Sequence, residues 1–323
     1  MRHRRASVRG VRAALPGLLT AVALTLLIAS TGHTQERPVR NVADYPTIQE
    51  AIDALPPDGG TVVVPAGTYT LPRKIRLPSH VELRGEGMDT TILTLADGAN
   101  DHLISNRDLR QGDTDITIRD LGLRGNAENQ TDWSFGVRFE NVTDSVVERV
   151  EADDFTKDGF YFGYNNGNGV RNVRVSDCRA VGNHRYGIAI KDGTQVRIEN
   201  CSFEGNGFAD EGAGIKLGPD QGLDASNNWI AHNRVVGNYE GIVLYAAVAY
   251  QSHVGTNVVC ENDVENNQQH GLQDFRGDHN RFIGNWTSSN GIDLDLNETS
   301  DVERGDCPTV DTGGAGAFVR QMH

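Results

Sequence analysis

The 323-residue sequence contains 30 Lys and Arg against 44 Asp and Glu, which gives a formal net charge of −14. This acidic balance argues against nucleic acid or an anionic membrane as partner, because both require a basic surface. Four cysteines are compatible with an exported protein but are too few for a disulfide-based scaffold.

Residues 1–32 are predicted to be an export signal. The first twelve residues include five arginines and no acid, and an uncharged apolar run follows at 13–29. Small residues at Ser30 and Gly32 would permit cleavage, whereas an uncleaved anchor would need a longer run without Pro16. We therefore expect a secreted or periplasmic protein without membrane attachment after signal removal, when the formal charge would be −19.

A short amphipathic helix is predicted from Asp44 to Leu55. Thr47 and Glu50 form a capping-box pattern, and apolar residues follow at helical spacing. Short strands separated by Gly and Pro are then predicted at 61–64, 75–77, 81–83 and 91–95. We assign 43–100 to an N-terminal cap and first coils, since the open end of a solenoid needs a cover.

The segment from Val173 to Gly193 is one unit of an internal repeat. Eight residues before Asn183, and at the equivalent position of the aligned blocks, the sequence has a β-branched residue: Ile118, Val147, Val175, Ile198, Ile230 and Val259. The spacings of 29, 28, 23, 32 and 29 residues indicate a solenoid, and the Val, Ile, Asn and Gly content favours strands over helices.

Asn recurs at the end of six of the seven repeats, in the column Asn126, Phe155, Asn183, Asn206, Asn238, Asn267 and Asn285. Asn tolerates the left-handed backbone of a sharp corner, and stacked Asn amides can bond across the roughly 4.8 Å between strands. The sequence therefore predicts an all-β chain folded as a parallel β-helix over 33–285, with clear coils at 115–285. Residues 286–323 are predicted to be a C-terminal cap or tail.

Cys178 and Cys201 occupy the same column on consecutive coils. Their Cα atoms should lie within disulfide range, so either a disulfide or two reduced, stacked cysteines is compatible with the sequence.

An amphipathic helix followed by GGTVVVPAGTY and Asn/Gly-rich coils resembles the pectin-lyase-like superfamily. The resemblance implies a right-handed β-helix and, for most members, activity on polysaccharides. Within that superfamily the sequence is most similar to the catalytic module of mannuronan C5-epimerases, which has a D-G-F/W coil and then Y-G-F-D-P-H. The matching segments here are Asp158–Phe160 and Tyr186–Lys191; Tyr186 matches the catalytic tyrosine, while Ala189 and Lys191 replace the Asp and His.

Two outward columns on one sheet are predicted to carry the functional residues, because residues that alternate with the core positions face solvent. We predict that the catalytic residues are Asp158, Tyr186, Lys191 and Lys216. Aromatic rings beside charged groups suit a sugar chain, so substrate contacts are predicted at Tyr161, Tyr164, Arg185, Tyr245, His270 and Arg276.

These residue types suit proton abstraction next to a uronate carboxylate. Lys191 and Lys216, on adjacent coils, could lower each other's pKa so that one serves as a base, and Tyr186 could move the second proton. The acidic chain would oppose a polyuronate unless the lysines or a calcium ion offset the charge. Asp192 and Asp220 are the candidate calcium ligands, and no spacing indicates a transition-metal site.

The sequence leaves three classes of function open for its polysaccharide partner. The leading hypothesis is a lyase or C5-epimerase acting on uronate-containing glycans. A glycoside hydrolase would need paired carboxylates, and a non-catalytic glycan- or surface-binding repeat protein would need no chemistry. The same outward residues would also fit an ordinary solvated surface. The oligomeric state is not predicted.

Overall fold

The computed structural model describes residues 37–163, 169–208, 211–219, 223–247 and 251–308. The predicted export signal lies outside these residues. Within them, no helix combines the length and apolar character needed to span a bilayer.

The described chain is almost entirely strands. Those of its first half are β1 (Val39–Asn41), β2 (Gly60–Val63), β3 (Gly67–Leu71), β4 (Ile75–Leu77), β5 (Val81–Arg84), β6 (Thr91–Leu95), β7 (Ile104–Asn106), β8 (Asp113–Thr114), β9 (Thr117–Arg124), β10 (Val137–Phe139), β11 (Val142–Asp153), β12 (Phe160–Phe162), β13 (Val170–Ser176) and β14 (Arg179–Val181). Those of its second half are β15 (Tyr186–Ile190), β16 (Gly193–Thr194), β17 (Arg197–Glu199), β18 (Ser202–Glu204), β19 (Ala213–Leu217), β20 (Ala225–Ser226), β21 (Trp229–Ala231), β22 (Arg234–Val236), β23 (Ile242–Tyr245), β24 (Val258–Cys260), β25 (Asp263–Glu265), β26 (His270–Phe275), β27 (Arg281–Ile283), β28 (Trp286–Ser288), β29 (Ile292–Leu296) and β30 (Asp301–Glu303).

One α-helix, α1 (Ile48–Asp53), covers the first coils, and 3₁₀ turns occupy Val42–Asp44 and Ala127–Asn129. Thr47 is the N-cap of α1, as the capping-box pattern predicts, since the Glu50 backbone N–H donates to Thr47 Oγ1 at 3.1 Å; the Thr47 hydroxyl in turn donates to Glu50 Oε1 at 3.2 Å. Ile48, Ala51 and Ile52 are buried against the open end of the solenoid. The helix therefore shields core residues that the first coil would otherwise expose.

The strands stack in parallel register as a right-handed parallel β-helix. The column predicted from the repeat is confirmed at every step, from Ile118 to Val259. These positions are buried and form a continuous apolar core along the axis. Because each coil supplies a branched residue at the same place, the core is filled by stacking like side chains on like.

Asparagines form three ladders rather than one. The predicted ladder joins Asn183, Asn206, Asn238 and Asn267 to Asn290 by amide–amide hydrogen bonds of 2.8–3.0 Å. Two further ladders at the other corners are Asn233–Asn262–Asn285 and Asn228–Asn257–Asn280. Each amide also bonds to backbone of a neighbouring coil, so these buried polar groups are satisfied.

The ladder asparagines themselves do not take the left-handed conformation. The residue before each one does, as in Gly182, Gly205 and Gly237 with φ of 59°, 60° and 65°. At each corner, the residue before the Asn therefore makes the turn, and the Asn side chain forms hydrogen bonds towards the interior.

The β-helix continues beyond Asn285, where the predicted domain boundary falls. Strands β28, β29 and β30 pair in parallel with β25, β26 and β27. The last repeat was predicted five residues out of register, because Asn285 belongs to the second ladder while Asn290 continues the first. An Asn stands at all three corners of this coil, as Asn280, Asn285 and Asn290, so the Asn column alone cannot distinguish the corners.

The cysteines fall into two pairs. Cys260 and Cys307 form a disulfide that ties the chain after β30 to β24. Cys178 and Cys201 are free and buried, with the Cys178 N–H 3.4 Å from Cys201 Sγ. Burial raises the pKa of the Cys178 thiol well above its usual range, which favours the reduced, stacked arrangement.

Candidate functional site

The outward surface of one sheet carries the predicted site. This nine-strand sheet has the order β4, β7, β10, β12, β15, β19, β23, β26, β29. The predicted outward column lies across it in register, as Arg138, Tyr161, Ala189, Lys216, Val243 and Gln273. The sequence therefore predicts correctly which residues of this column lie side by side on adjacent strands.

Part of this outward surface is nevertheless covered. Ala189 and Val243 are 0% exposed and lie in a second apolar cluster with Phe135, Tyr161, Tyr186 and Ala213, separate from the core. Val243 was expected to be exposed because it alternates with core positions. It is buried within a cluster that includes aromatic side chains, so a residue on the outward side of this sheet is not necessarily exposed to solvent.

Cations lie over aromatic rings along this surface. We define the cation–aromatic face as Phe135, Arg138, Tyr161, Arg185, Tyr186, Lys191, Lys216, Tyr245, Phe275 and Arg276. The distances from charge to ring centroid are 4.7 Å for Arg185 on Tyr186, 5.7 Å for Lys191 on Tyr186 and 4.7 Å for Lys216 on Tyr245. Arg276 lies 4.8 Å from Phe275, and Arg138 lies 6.0 Å from both Phe135 and Tyr161.

Asp158 is placed to hold a neighbour rather than to exchange protons with a ligand. It is 0% exposed and accepts from Arg185 Nε at 2.8 Å and Nη2 at 2.7 Å. It also accepts from the Tyr186 backbone N–H at 3.1 Å. The predicted catalytic role of Asp158 therefore has no geometric support, because its oxygens are occupied and enclosed.

Arg185 is fixed by the same contacts. Although burial opposes it, the hydrogen bonds and charge of Asp158 raise the pKa of Arg185. The guanidinium thus stays charged and lies over the Tyr186 ring, where it can hold that ring in place.

Tyr186 and Tyr161 are both largely enclosed, at 7% and 8% exposure. Burial raises the pKa of Tyr186, and the nearby Arg185 only partly opposes this rise. Burial and the charge of Asp158 raise the pKa of Tyr161. Both phenols are therefore protonated at neutral pH and can donate a hydrogen bond or a proton.

Lys191 is 8% exposed and Lys216 is partly exposed. In register, Lys216 of β19 pairs with Ala189 of β15, whereas Lys191 directly follows β15, two residues beyond Ala189. Each contacts a different ring, Lys191 that of Tyr186 and Lys216 that of Tyr245. The predicted mutual lowering of their pKa values stays a prediction.

Tyr245 and Phe275 form the exposed end of the face. Their rings stack at 5.1 Å with an interplanar angle of 9°, and each residue is 38% exposed. Direct strand pairing sets this stack, since Tyr245 and Phe275 are partners in β23 and β26. Flat aromatic surface flanked by Lys216 and Arg276 is suited to the face of a sugar ring.

His270 lies between two carboxylates. Its Nδ1 is 3.3 Å from Glu240 Oε1 and its Nε2 is 3.4 Å from Asp295 Oδ2. Gln273 donates to Asp295 at 2.9 Å. His270 was predicted only as a substrate contact, whereas the structure shows it within an acid–base cluster at one end of the sheet.

Arg138, Glu140 and His102 form a third polar group. Arg138 donates to Glu140, which is fully buried, and Arg138 Nη1 donates to His102 Nε2 at 2.6 Å. Burial and the charges of Arg138 and Lys74 lower the pKa of His102 to about 3. His102 is therefore neutral at physiological pH.

Of the remaining predicted site residues, the structure describes Asp192 but not Tyr164 or Asp220. Asp192 is 7% exposed and lies at the turn directly after Lys191. Tyr164 and Asp220, predicted as a substrate contact and a calcium ligand, lie outside the described residues.

Several residues of the site were not predicted. Arg138 belongs to the outward column, and Phe135 and Phe275 contribute rings to the same face. Asp295 was assigned to the C-terminal cap or tail, although the alternation in Ile292–Leu296 resembles that of earlier strands. Reading that alternation as one more coil would have brought Asp295 beside His270.

Comparison with known proteins accounts for this architecture. Residues 42–273 match the family described as rhamnogalacturonase A/epimerase, pectate lyase-like. The chain belongs to this family. The resemblance inferred from the helix, the GGTVVVPAGTY segment and the coils is thereby confirmed, while the family's description names more than one activity.

The chain is also similar to phage proteins. The pre-neck appendage protein of Bacillus phage B103 is 24% identical over 263 residues, covering 74% of this chain and 29% of that protein. The chain thus spans about three tenths of the length of such curated relatives.

Two solved structures share the fold. Gene product 12 of bacteriophage phi29 has a TM-score of 0.58 at 16% identity, covering 75% of this chain and 36% of that one. The tailspike protein of E. coli bacteriophage HK620, solved in complex with a pentasaccharide, has a TM-score of 0.55 at 18% identity, covering 79% and 51%.

Proposed function

We propose that the protein binds and processes uronate-containing glycans along the cation–aromatic face. The observation that carries this proposal is the concentration of five cations on aromatic rings across one sheet of an otherwise acidic protein. Rings pack against pyranose faces, and cations bind carboxylates through charge-assisted hydrogen bonds. Neither feature alone would select an anionic sugar.

The dimensions of the face suit an extended chain. Strands β10 to β26 of the nine-strand sheet cover five inter-strand spacings, which is roughly 24 Å. The HK620 tailspike, which shares the fold, was crystallised with a pentasaccharide. This supports a glycan ligand for the scaffold without naming the sugar.

The proposed reaction is β-elimination or C5 epimerisation. Lys191 takes the proton next to the uronate carboxylate, while Lys216 holds that carboxylate and stabilises the developing negative charge. Tyr186 donates its phenolic proton, either to the departing oxygen in elimination or to the opposite face of the carbon in epimerisation. Arg185, held by Asp158, positions the Tyr186 ring.

The test is activity of residues 33–323 on a panel of polyuronates and neutral glycans. Elimination yields an unsaturated uronate that absorbs in the ultraviolet, and epimerisation in D₂O exchanges the C5 proton. Lys191→Ala and Tyr186→Phe should each lower turnover by about a hundredfold or more. Absence of binding to every polyuronate, or equal binding to neutral glycans, would refute the proposal.

Lys216→Ala separates binding from chemistry. It should weaken polyuronate binding by about tenfold, as expected for loss of one charge-assisted hydrogen bond. The matched control is Arg234→Ala, which removes the same charge from β22 on another side of the β-helix. Equal weakening in both variants would mean that overall charge, rather than this face, controls binding.

A glycoside hydrolase is the second candidate, favoured by the His270 cluster. Glu240 and Asp295 flank one imidazole, and hydrolysis of a glycosidic bond uses two carboxyl groups. New reducing ends without an unsaturated product, lost in Glu240→Gln and kept in Lys191→Ala, would favour this alternative. Binding without any turnover would instead indicate a non-catalytic glycan-binding protein.

A further inference from the structure

Three potential metal ligands meet at a corner of the 21-strand sheet, which does not carry the cation–aromatic face. They are His232 directly after β21, Glu261 directly after β24 and Cys307 beyond β30. One nitrogen, one oxygen and one sulfur from these side chains all lie within 4.8 Å of one another. Because the three residues come from separate parts of the chain, their spacing in the sequence does not indicate a metal site.

Strand register and hydrogen bonds bring these side chains together. Ala231 of β21 pairs with Cys260 of β24, so the residues that follow them, His232 and Glu261, lie on adjacent coils. His232 Nδ1 is 3.2 Å from Glu261 Oε2, and the Cys307 backbone N–H donates to Glu261 Oε1 at 2.7 Å. The side chains of His232 and Glu261 are 46% and 32% exposed, so an ion from solvent can reach them.

His232 and Glu261 occupy corner positions with a left-handed backbone, at φ of 56° and 47°. The coils on either side have Asn200 and Gly284 at the same position of the column, also with positive φ. Asn and Gly adopt this conformation at little cost, whereas Glu does so only at a cost in conformational free energy. Backbone propensity therefore does not account for Glu261 here, and a role for its carboxylate would.

Reduction of the Cys260–Cys307 disulfide adds a second sulfur to this group. A dithiol reductant supplies two electrons and two protons, so that the S–S bond breaks, two thiols form and the dithiol becomes a disulfide. The Cα atoms of the two cysteines are 5.6 Å apart, so both thiols remain beside Glu261 and His232. Two cysteine sulfurs, one imidazole nitrogen and one carboxylate oxygen then match the four-ligand, tetrahedral coordination that zinc takes in structural sites.

We propose that, when the disulfide is reduced, His232, Glu261, Cys260 and Cys307 bind a zinc ion. Each thiol releases its proton to solvent as its sulfur binds the metal. Thiolate and imidazole ligands select zinc over calcium and magnesium, which prefer oxygen. The ion joins the end of β24 to the chain beyond β30, which is the connection that the disulfide makes in the oxidised protein. The last coils are thus held together in both redox states.

The proposal is tested by titrating oxidised and reduced protein with zinc and cobalt(II), after anaerobic removal of the dithiol. Reduced protein should bind a single zinc ion, and cobalt(II) should give the absorption bands of a tetrahedral thiolate complex. Oxidised protein should show neither, although it retains the free cysteines Cys178 and Cys201, and it therefore controls for binding at that pair. Zinc should also slow hydrogen exchange in β27, β28 and β30 of the reduced protein. Unchanged exchange in these strands would contradict the proposal.

His232→Ala and Glu261→Gln identify the ligands that are not cysteines. Each should weaken zinc binding to reduced protein by about tenfold or more, since loss of a residue that merely supports a metal ligand already costs this much. The matched control is His253→Ala, because His253 is also an exposed histidine paired with a carboxylate, and it should bind zinc as wild type does. Zinc affinity unchanged in both ligand variants, or no zinc binding by reduced wild type, would overturn the proposal. These readouts do not depend on glycan turnover.

Discussion

At the scale of single residues, the Asp158–Arg185 pair determines whether Tyr186 has a defined position. The carboxylate is fully buried and bonds to both the guanidinium and the Tyr186 backbone. Buried ion pairs contribute little net stability, but loss of one partner leaves an uncompensated charge.

We therefore expect Asp158→Asn to lower the free energy of unfolding by about 3 to 5 kcal/mol. Urea denaturation would measure this. The double variant Asp158→Asn/Arg185→Gln should be less destabilised than the sum of its single variants, because no charge is left unpaired. A stable Asp158→Asn variant that lacks turnover would contradict this structural role and restore the catalytic one.

His102 gives the protein a pH-dependent stability. Its Nε2 accepts from Arg138, so its proton is on Nδ1, and its pKa is about 3 in the folded protein. In the unfolded chain the pKa is about 6.5. As pH falls from about 6.5 towards 3, the unfolded chain gains a proton that the folded chain does not, so stability is lost in this window.

The expected loss from His102 is at most about 1.4 kcal/mol per pH unit. His102→Gln should show a shallower decline of unfolding free energy between pH 6.5 and 4. His279→Gln, whose side chain in wild type is 71% exposed, should keep the wild-type slope. Identical slopes for all three proteins would show that His102 does not control acid sensitivity.

At the scale of elements, the Asn ladders connect successive coils. Asn206 Oδ1 accepts from the backbone and side chain of Asn183, and its Nδ2 donates to Ala180 and Asn238. One buried side chain thus satisfies groups on two neighbouring coils.

Asn206→Ala should cost about 3 kcal/mol or more, since several buried groups lose a partner and each costs about 1 to 3 kcal/mol. Asn290→Ala, at the partly exposed end of the same ladder, should cost only about 1 kcal/mol. Denaturant unfolding of both variants would measure the difference. Equal costs would mean that the ladder bonds contribute little beyond local turn formation.

At the scale of the whole molecule, the two ends of the β-helix are closed differently. The first coils lie under α1, whereas the last described coil leaves Leu294 and Val302 exposed at 51% and 63%. Both continue interior columns, because they pair with the buried residues Leu272 and Phe282. The Cys260–Cys307 disulfide holds this less covered end.

Cys307→Ser should loosen the last coils, since a disulfide closing a loop of this size contributes about 2 to 4 kcal/mol. Hydrogen exchange should become faster in β27, β28 and β30 and stay unchanged in β9 to β17. Reduction of wild type should reproduce the effect. Unchanged protection at the C-terminal end would show that strand pairing alone holds these coils.

The sequence by itself determined the repeat, because stacking identical columns requires β-branched core residues and Asn corners to recur in every coil. From Ile118 to Val259 and from Arg138 to Gln273, register follows from that recurrence alone. The register of the last coil does not follow from the pattern, because Asn occupies all three of its corners and Phe282 stands where earlier coils have a β-branched residue.

Only the tertiary structure decided which outward residues are buried and which charged side chains contact each other. Val243 is buried by neighbours from other coils, Asp158 is neutralised by Arg185 one coil later, and Asp295 meets His270 across the final strand pair. These outcomes depend on the directions in which the longer side chains extend across adjacent strands. A column of the sequence repeat predicts which residues are neighbours, but it does not predict the direction of each side chain.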